Sequence, residues 1–292
     1  MPGFTISTLK FYNLIFHINN NMYKFIPYLV SLVLIVSCKK DNSPNVSFNE
    51  SFVQLSTHKL ATYSIESNSK YLVVFESGLG NDHSIWQVKN TAEDISAKMD
   101  VVVYDRAGYG KSTIDDNPRD INRLRIELEL VVNKYAKGRK VILVGHSLGG
   151  MIIRDFAIKN PGIVAALLFV DPSHENVLHP TQTAEDSLYN SVYNSNGPNF
   201  GGTREARQLI EDAQYMATLA NLPNIPVIVL TGMKSDAGST GNTQDLYNAH
   251  ELLKSGITDF THVAVTNSGH FIMIDNPGIL IENFNLLISK LP

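Results

Sequence analysis

Two patterns alternate along the chain beyond residue 50. One is a short run that is apolar throughout, as at residues 71–75, 101–104, 141–144, 165–170, 226–230 and 262–265. A strand covered on one face alternates apolar and polar positions, whereas one that is apolar throughout is covered on both. The other pattern spaces apolar residues by three and four. Ile121, Leu124, Leu128, Val131 and Tyr135 share a helical face, with Asp120 positioned to cap it and Gly138 to stop it. A second helix is predicted over 148–159, halted by Asn160-Pro161-Gly162. A last one opens at Pro277 behind Asn276, with Leu280, Phe284, Leu287 and Ile288 on one side. Ahead of them, residues 52–55 and 60–65 read as a hairpin.

Alternating strand and helix predicts an α/β fold, a mostly parallel central sheet with helices on both faces. The rhythm breaks once. Residues 172–224 carry helical stretches but no strand, so an insertion between two sheet strands is expected to form a helical lid.

The start of the chain is patterned differently. Residues 25–36 are almost wholly apolar, broken by Pro27, Tyr28 and Ser31, and follow the basic Lys24. That run is shorter than the roughly 20 residues a spanning helix needs. It fits the apolar core of a signal peptide. It ends in Ile35-Val36-Ser37-Cys38, then Lys39-Lys40-Asp41-Asn42. A small residue before a lone Cys resembles a bacterial lipobox, where a signal peptidase cuts before the Cys and its thiol takes lipid. Residues 1–37 are therefore expected to be a signal region and 38–49 a tether, leaving 50–292 as the folded domain. Residues 1–21 are either a mis-called extension before a start at Met22 or a longer leading segment. The expected location is the bacterial cell envelope, on the periplasmic or outer-surface side, attached to the membrane through lipid on Cys38.

Composition narrows the chemistry. Hydrophobic residues at 43% and charged ones at 18% suit a packed globular domain and exclude disorder. A net charge of −4 supplies no positive field for a phosphate backbone, so no nucleic-acid partner is expected. With a single Cys, a disulfide framework and a multi-thiolate zinc site are both excluded.

The most informative residues are Gly145-His146-Ser147-Leu148-Gly149, between the apolar run 141–144 and the helix 148–159. A Ser hydroxyl is a poor nucleophile until it is aimed and deprotonated. A sharp strand-to-helix turn holds it proud of the sheet, with glycines where side chains have no room. The new helix turns its free N–H groups and positive dipole end toward a developing oxyanion.

Three other landmarks accompany this turn: Ser77-Gly78-Leu79-Gly80, the segment Asp105-Arg106-x-Gly108-x-Gly110-x-Ser112, and Ser268-Gly269-His270. In this order, from about Ser51 to the end of the chain, they resemble the α/β-hydrolase superfamily. The resemblance implies Ser147 as nucleophile and His270 as general base. It implies an oxyanion hole from the backbone N–H groups of Leu148 and Leu79. Members often have His-Gly before the second donor, and here Ser77-Gly78 stands there. Most keep the triad acid after the strand at 226–230, some after the strand at 165–170. Asp236 comes a residue late for the usual Gly-x-x-Asp spacing, in a loose Gly/Ser loop, while Asp171 ends its strand directly. Asp171 is the preferred acid and Asp236 the alternative. Glu76 and the Asp105-Arg106 turn read as architecture. His146 reads as structural, and His174 and His179 lack metal-ligand spacing.

The expected activity is that of an esterase-like serine hydrolase acting on a small ester-like substrate, with no organic cofactor and no metal implied. Tyr189, Tyr193, Phe200, Tyr215, Met216 and Leu219 of the lid either line an apolar pocket or dock the lid on the core. Two alternatives stand beside this reading. One is other chemistry on the scaffold: amide, lactone or carbon–carbon hydrolysis, or haloperoxidase-like reactivity. The other is a non-catalytic surface lipoprotein that uses the fold for binding.

Overall fold

The computed structural model of the protein describes residues 47–235 and 242–292. Cys38, Asp236, the signal region and most of the tether lie outside the described residues. The strands are β1 (Asn49–Gln54), β2 (Lys59–Ile65), β3 (Leu72–Glu76), β4 (Asp100–Tyr104), β5 (Val141–Ser147), β6 (Val164–Pro172), β7 (Val227–Gly232) and β8 (Phe260–Val265). They form one sheet in the order β1-β2-β4-β3-β5-β6-β7-β8. β1 and β2 make the predicted hairpin, and β2 joins β4 antiparallel. Every pairing beyond that is parallel.

The helices are α1 (Thr91–Ser96), α2 (Ile121–Ala136), α3 (Leu148–Lys159), α4 (Gln182–Asn196), α5 (Gly201–Glu205), α6 (Leu209–Met216), α7 (Thr243–Glu251), α8 (Ile272–Asp275) and α9 (Pro277–Ser289). They explain why the central strands β3 to β7 are apolar over most of their length. Val141 and Leu143 of β5 point into a core with α2 and α3. Ile142 and Val144, on the other face, meet α1 and α9. Each fully buried aliphatic or Phe side chain contributes about 1.5–3 kcal/mol. Two cores of this size fix the sheet firmly enough to hold strained loops at its edge. The caps are those the sequence suggests. Asp120 accepts the Arg123 N–H at 2.8 Å, and α2 ends with Lys137 and Gly138 both at positive φ.

Between β6 and β7 the chain inserts α4, α5 and α6, with no strand among the described residues. α4 buries only Glu185 and Val192, whereas α5 buries Gly201, Gly202, Thr203 and Glu205. The insertion is therefore fastened through α5 and through α6, which buries Asp212 and Met216, more than through α4.

Asn49 opens β1 opposite Ser64, which pairs with Val102, the middle residue of β4. The Pro292 carbonyl accepts the Tyr71 hydroxyl at 3.1 Å, just before β3 begins. The loops that leave the opposite edge, where the parallel strands end, carry the residues described next.

Candidate active site

β5 runs without a linker into α3, and Ser147 is the hinge, with φ 53° and ψ −121°. Such a backbone costs a residue with a side chain about 1–3 kcal/mol, so it persists only where its surroundings dictate it. The surroundings here are backbone. A Cβ on Gly149 would stand 2.3 Å from the Glu76 carbonyl oxygen, so α3 starts directly against the end of β3. No side chain caps α3, and its first N–H groups remain open to a ligand. The loop after β3 closes on the same turn. A Cβ on Gly78 would lie 2.9 Å from His146 Nδ1 and 3.1 Å from Ser147 Cβ. Leu79 and Leu148, the two backbone donors named from the sequence, thus belong to segments that flank Ser147.

His270 follows β8 and is brought to the end of β6. Its Nδ1 donates to Asp171 Oδ2 at 2.7 Å, and Asp171 Oδ1 accepts the Gly232 N–H at 2.9 Å. Asp171 is 2% exposed and His270 8%, which keeps this contact largely out of water. Of the two carboxylates weighed from the sequence, Asp171 contacts the imidazole. Asp236 lies outside the described residues. Asp171 also has a positive φ, 45°, and the next residue, Pro172, pairs with Ser147 across the sheet.

Sequence reasoning gave His146 a structural place without its partner and missed two further contributors. His146 donates Nε2–H to the His270 carbonyl at 3.0 Å, and the two rings lie 4.5 Å apart. Burial, helped by the neighbouring His270, holds the His146 pKa well below 6.5, so the ring is neutral and a single-proton donor. It thereby ties the base's main chain to the residue before the nucleophile. Ser173 places its hydroxyl 3.4 Å from Ser147 Oγ and donates its N–H to the Ser147 carbonyl at 3.0 Å. His250 donates Nε2–H to the Pro172 carbonyl at 2.7 Å and accepts the Thr231 hydroxyl at 2.7 Å, which steadies the turn behind Asp171. Burial lowers the His250 pKa to about 3, in keeping with a neutral ring in that chain. Adjacency to Ser147 and Asp171 was the only signal for the first two, and His250 had none.

Behind the loop after β3 lies a buried polar group. Arg106 donates to Glu76 at 2.8 Å and to Glu205 through Nε at 2.8 Å and Nη2 at 3.0 Å. Tyr104 donates to Glu76 as well. Burial raises the Glu76 pKa to about 7 against the pull of Arg106 and Tyr104. The Asp105-Arg106 turn is architectural in this sense, and its reach extends into the lid.

The remaining candidates sit elsewhere. Burial lowers the His174 pKa to about 4, and its Nδ1 accepts the Asn176 N–H. Among the described residues, two His–carboxylate clusters draw the carboxylates close enough for a cation. In one, His58 with Asp115 and Glu127, the guanidinium of Arg119 already takes Glu127 Oε2 at 2.8 Å. In the other, Asp82 with His83 and Asp105, Asp105 accepts from His83 and from the Lys111 N–H at 3.0 Å. Both sets of oxygens are committed to protein donors. The lid residues divide. Tyr215 donates to Asp155 at 2.9 Å, Met216 is fully buried, and Leu219 packs on the core around α3. Met216 and Leu219 line a cavity of about 210 Å³ with Arg154 and His174, which includes none of Ser147, Asp171 and His270. Tyr215, Met216 and Leu219 thus dock the lid.

The profile of the alpha/beta hydrolase family matches residues 73–282. The uncharacterized protein YqjL of Bacillus subtilis is 25% identical over 223 residues, 74% of this chain and 82% of that protein. The human (lyso)-N-acylphosphatidylethanolamine lipase is 30% identical over 114 residues, 38% of this chain, and the match spans only 33% of that lipase. Among solved structures, the mouse alpha/beta hydrolase domain-containing protein 10 superposes with a TM-score of 0.63 at 22% identity, covering 83% of this chain and 99% of its own. At that identity the likeness is one of fold.

Proposed function

The chain belongs to the alpha/beta hydrolase family, and from that premise we propose that it is a serine hydrolase cleaving carboxylic esters through an acyl-enzyme on Ser147. The observation that carries this reading is the 2.7 Å contact between His270 Nδ1 and Asp171 Oδ2. A carboxylate on Nδ1 fixes the tautomer in which Nε2 is the basic nitrogen, and it stabilises the imidazolium that forms. Ser147 Oγ attacks the ester carbonyl carbon as its proton passes to His270 Nε2. The carbonyl oxygen gains the charge, beside the backbone N–H groups of Leu79 and Leu148. The tetrahedral adduct collapses and the alcohol leaves with the proton from His270. Water then attacks the acyl-enzyme, gives its proton to His270, and the carboxylic acid departs as Ser147 recovers its own. Esters are favoured over amides because their leaving group needs less protonation. The acyl-lipid substrate in the name of one relative is in keeping with an acyl ester.

A fluorophosphonate probe followed by peptide mapping tests this. Label on Ser147 that disappears in Ser147→Ala, together with loss of ester turnover by several powers of ten, is the expected result. A mutant with near-wild-type turnover would sink the mechanism.

We further propose that the protein is held to a bacterial envelope membrane by lipid on Cys38. The lipobox-like run that ends at this residue is the support for it. Among the described residues no helix is long and apolar enough to cross a membrane. Cys38→Ser is expected to shift the protein from the membrane fraction to the soluble one. Unchanged partition, with no lipid on the mature N-terminus, contradicts the anchor and leaves the chemistry untouched.

A further inference from the structure

The loop of residues 77–80 is held from behind, and one of the groups that hold it belongs to the lid. Arg106 Nη1 donates to the Ser77 carbonyl at 2.6 Å and Nη2 to the Gly78 carbonyl at 3.0 Å. A trans peptide unit is planar, so its C=O and N–H point in opposite directions. With the Gly78 C=O drawn onto Arg106, the Leu79 N–H is turned the other way. Where the guanidinium stands therefore decides where the Leu79 donor points.

Two carboxylates determine where it stands. Glu76 is part of the sheet. Glu205, the last residue of α5, is part of the lid, and only 1% exposed. It meets Arg106 at two points, Nε to Oε1 at 2.8 Å and Nη2 to Oε2 at 3.0 Å. Such a two-point contact fixes the plane of the guanidinium as well as its place. The same carboxylate accepts the Tyr109 hydroxyl at 2.6 Å, and that hydroxyl oxygen accepts the Gly80 N–H at 3.0 Å. Both ends of the loop are thus tied to one lid side chain.

We propose that Glu205 is a positioning residue for the oxyanion hole: through Arg106 and Tyr109 it sets the 77–80 loop, so the Leu79 donor is in place only while α5 is docked. The proposal rests on the serine-hydrolase reading above. The lid then completes the catalytic geometry in addition to bounding the substrate. An oxyanion donor acts on the charge of the tetrahedral intermediate far more than on the neutral ester. Disturbing Glu205 should therefore lower kcat and leave KM nearly alone.

The test uses the full chain with Glu205→Gln and Tyr109→Phe. Gln keeps one acceptor oxygen where the carboxylate uses two. Phe deletes a single hydroxyl and keeps the ring packed on Phe200, so it carries the test if Glu205→Gln does not fold. The readouts are kcat and KM on p-nitrophenyl butyrate, the rate of fluorophosphonate labelling, and inhibition by an alkyl trifluoromethyl ketone and by the matching secondary alcohol. The ketone forms a tetrahedral adduct on Ser147 and the alcohol does not. Each variant is expected to lower kcat and ketone affinity by roughly 10–100-fold, short of the 10²–10³ lost with an oxyanion donor itself. KM and alcohol affinity should stay within about twofold, since neither senses the oxyanion. Folded variants with wild-type kcat and ketone affinity overturn the proposal, as do variants that weaken ketone and alcohol alike. If the wild type takes no label on Ser147, the serine-hydrolase reading itself fails and this proposal falls with it. Labelled wild type with unaltered variants removes only the role of Glu205.

Discussion

Ser147 and Asp171 both sit at positive φ, 53° and 45°, at the ends of adjacent strands. Each turn is held by its neighbours: Ser147 by backbone packed against Gly149, Asp171 by Gly232 N–H on its carboxylate and by His250 on the next carbonyl. Asp171→Asn tests what that precision is worth. The amide keeps the shape but offers Nδ1 the wrong partner and favours the other tautomer. Turnover is expected to fall by ~10³–10⁴ with folding intact, as measured by steady-state kinetics beside circular dichroism. A loss under tenfold would remove Asp171 from the mechanism. At this scale the sequence was legible where a residue's role depends on its own neighbours. Ser147 announced itself by flanking glycines, and Asp171 by ending an apolar run. His250 and Glu205 did not, because their partners Pro172 and Arg106 lie 78 and 99 positions away. No local pattern encodes such a pairing.

Among the elements, the strands were the easiest to read, since burial on both faces leaves an unbroken apolar run. α1 and α7 escaped because they are short and bury few apolar residues. α1 buries Thr91, Ala92, Ile95 and Ser96, and α7 only Leu246, Ala249 and His250, too few for a helical period to stand out. The lid was legible as an interruption but not in its anatomy. α4 is its loosely buried part, while α5 and α6 fasten it. Replacing residues 182–196 by a short Gly/Ser linker should change relative rates across acyl-chain lengths while Ser147 still labels, measured on a series of p-nitrophenyl esters. An unchanged profile would assign substrate choice to elements other than α4. Cutting into α5 is a different operation. Removing one partner of a buried ion pair costs about 3–5 kcal/mol, so loss of Glu205 by truncation is expected to lower stability as well.

For the molecule as a whole, two buried carboxyls give stability a definite pH sense. Burial raises Asp212 from 3.8 to about 8 and Glu76 from 4.5 to about 7. A raised folded pKa means the native state holds protons that the unfolded chain has released. Their contribution is complete below about pH 4, and is lost as pH rises through about 7 and 8. The melting temperature should therefore fall between about pH 4 and 8. Asp212→Asn keeps an oxygen for the Ile121 N–H, which Asp212 Oδ1 accepts at 2.8 Å. It should match the wild type near about pH 4 and exceed it at about pH 8. A variant whose melting curve follows the wild type across that range would show that Asp212 is ionised in the native state.

The sheet edge at which Pro292 lies has a practical meaning. Pro292 lies where the parallel strands begin, with Ser147, Asp171 and His270 at the far ends of β5, β6 and beyond β8. Anything fused after Pro292, whether an affinity tag, a resin linkage or a neighbouring domain, is attached at the back of the domain. A bead or sensor chip coupled through the C-terminus would hold every copy with its reactive side turned outward, and substrate in the flowing solution would meet that side first.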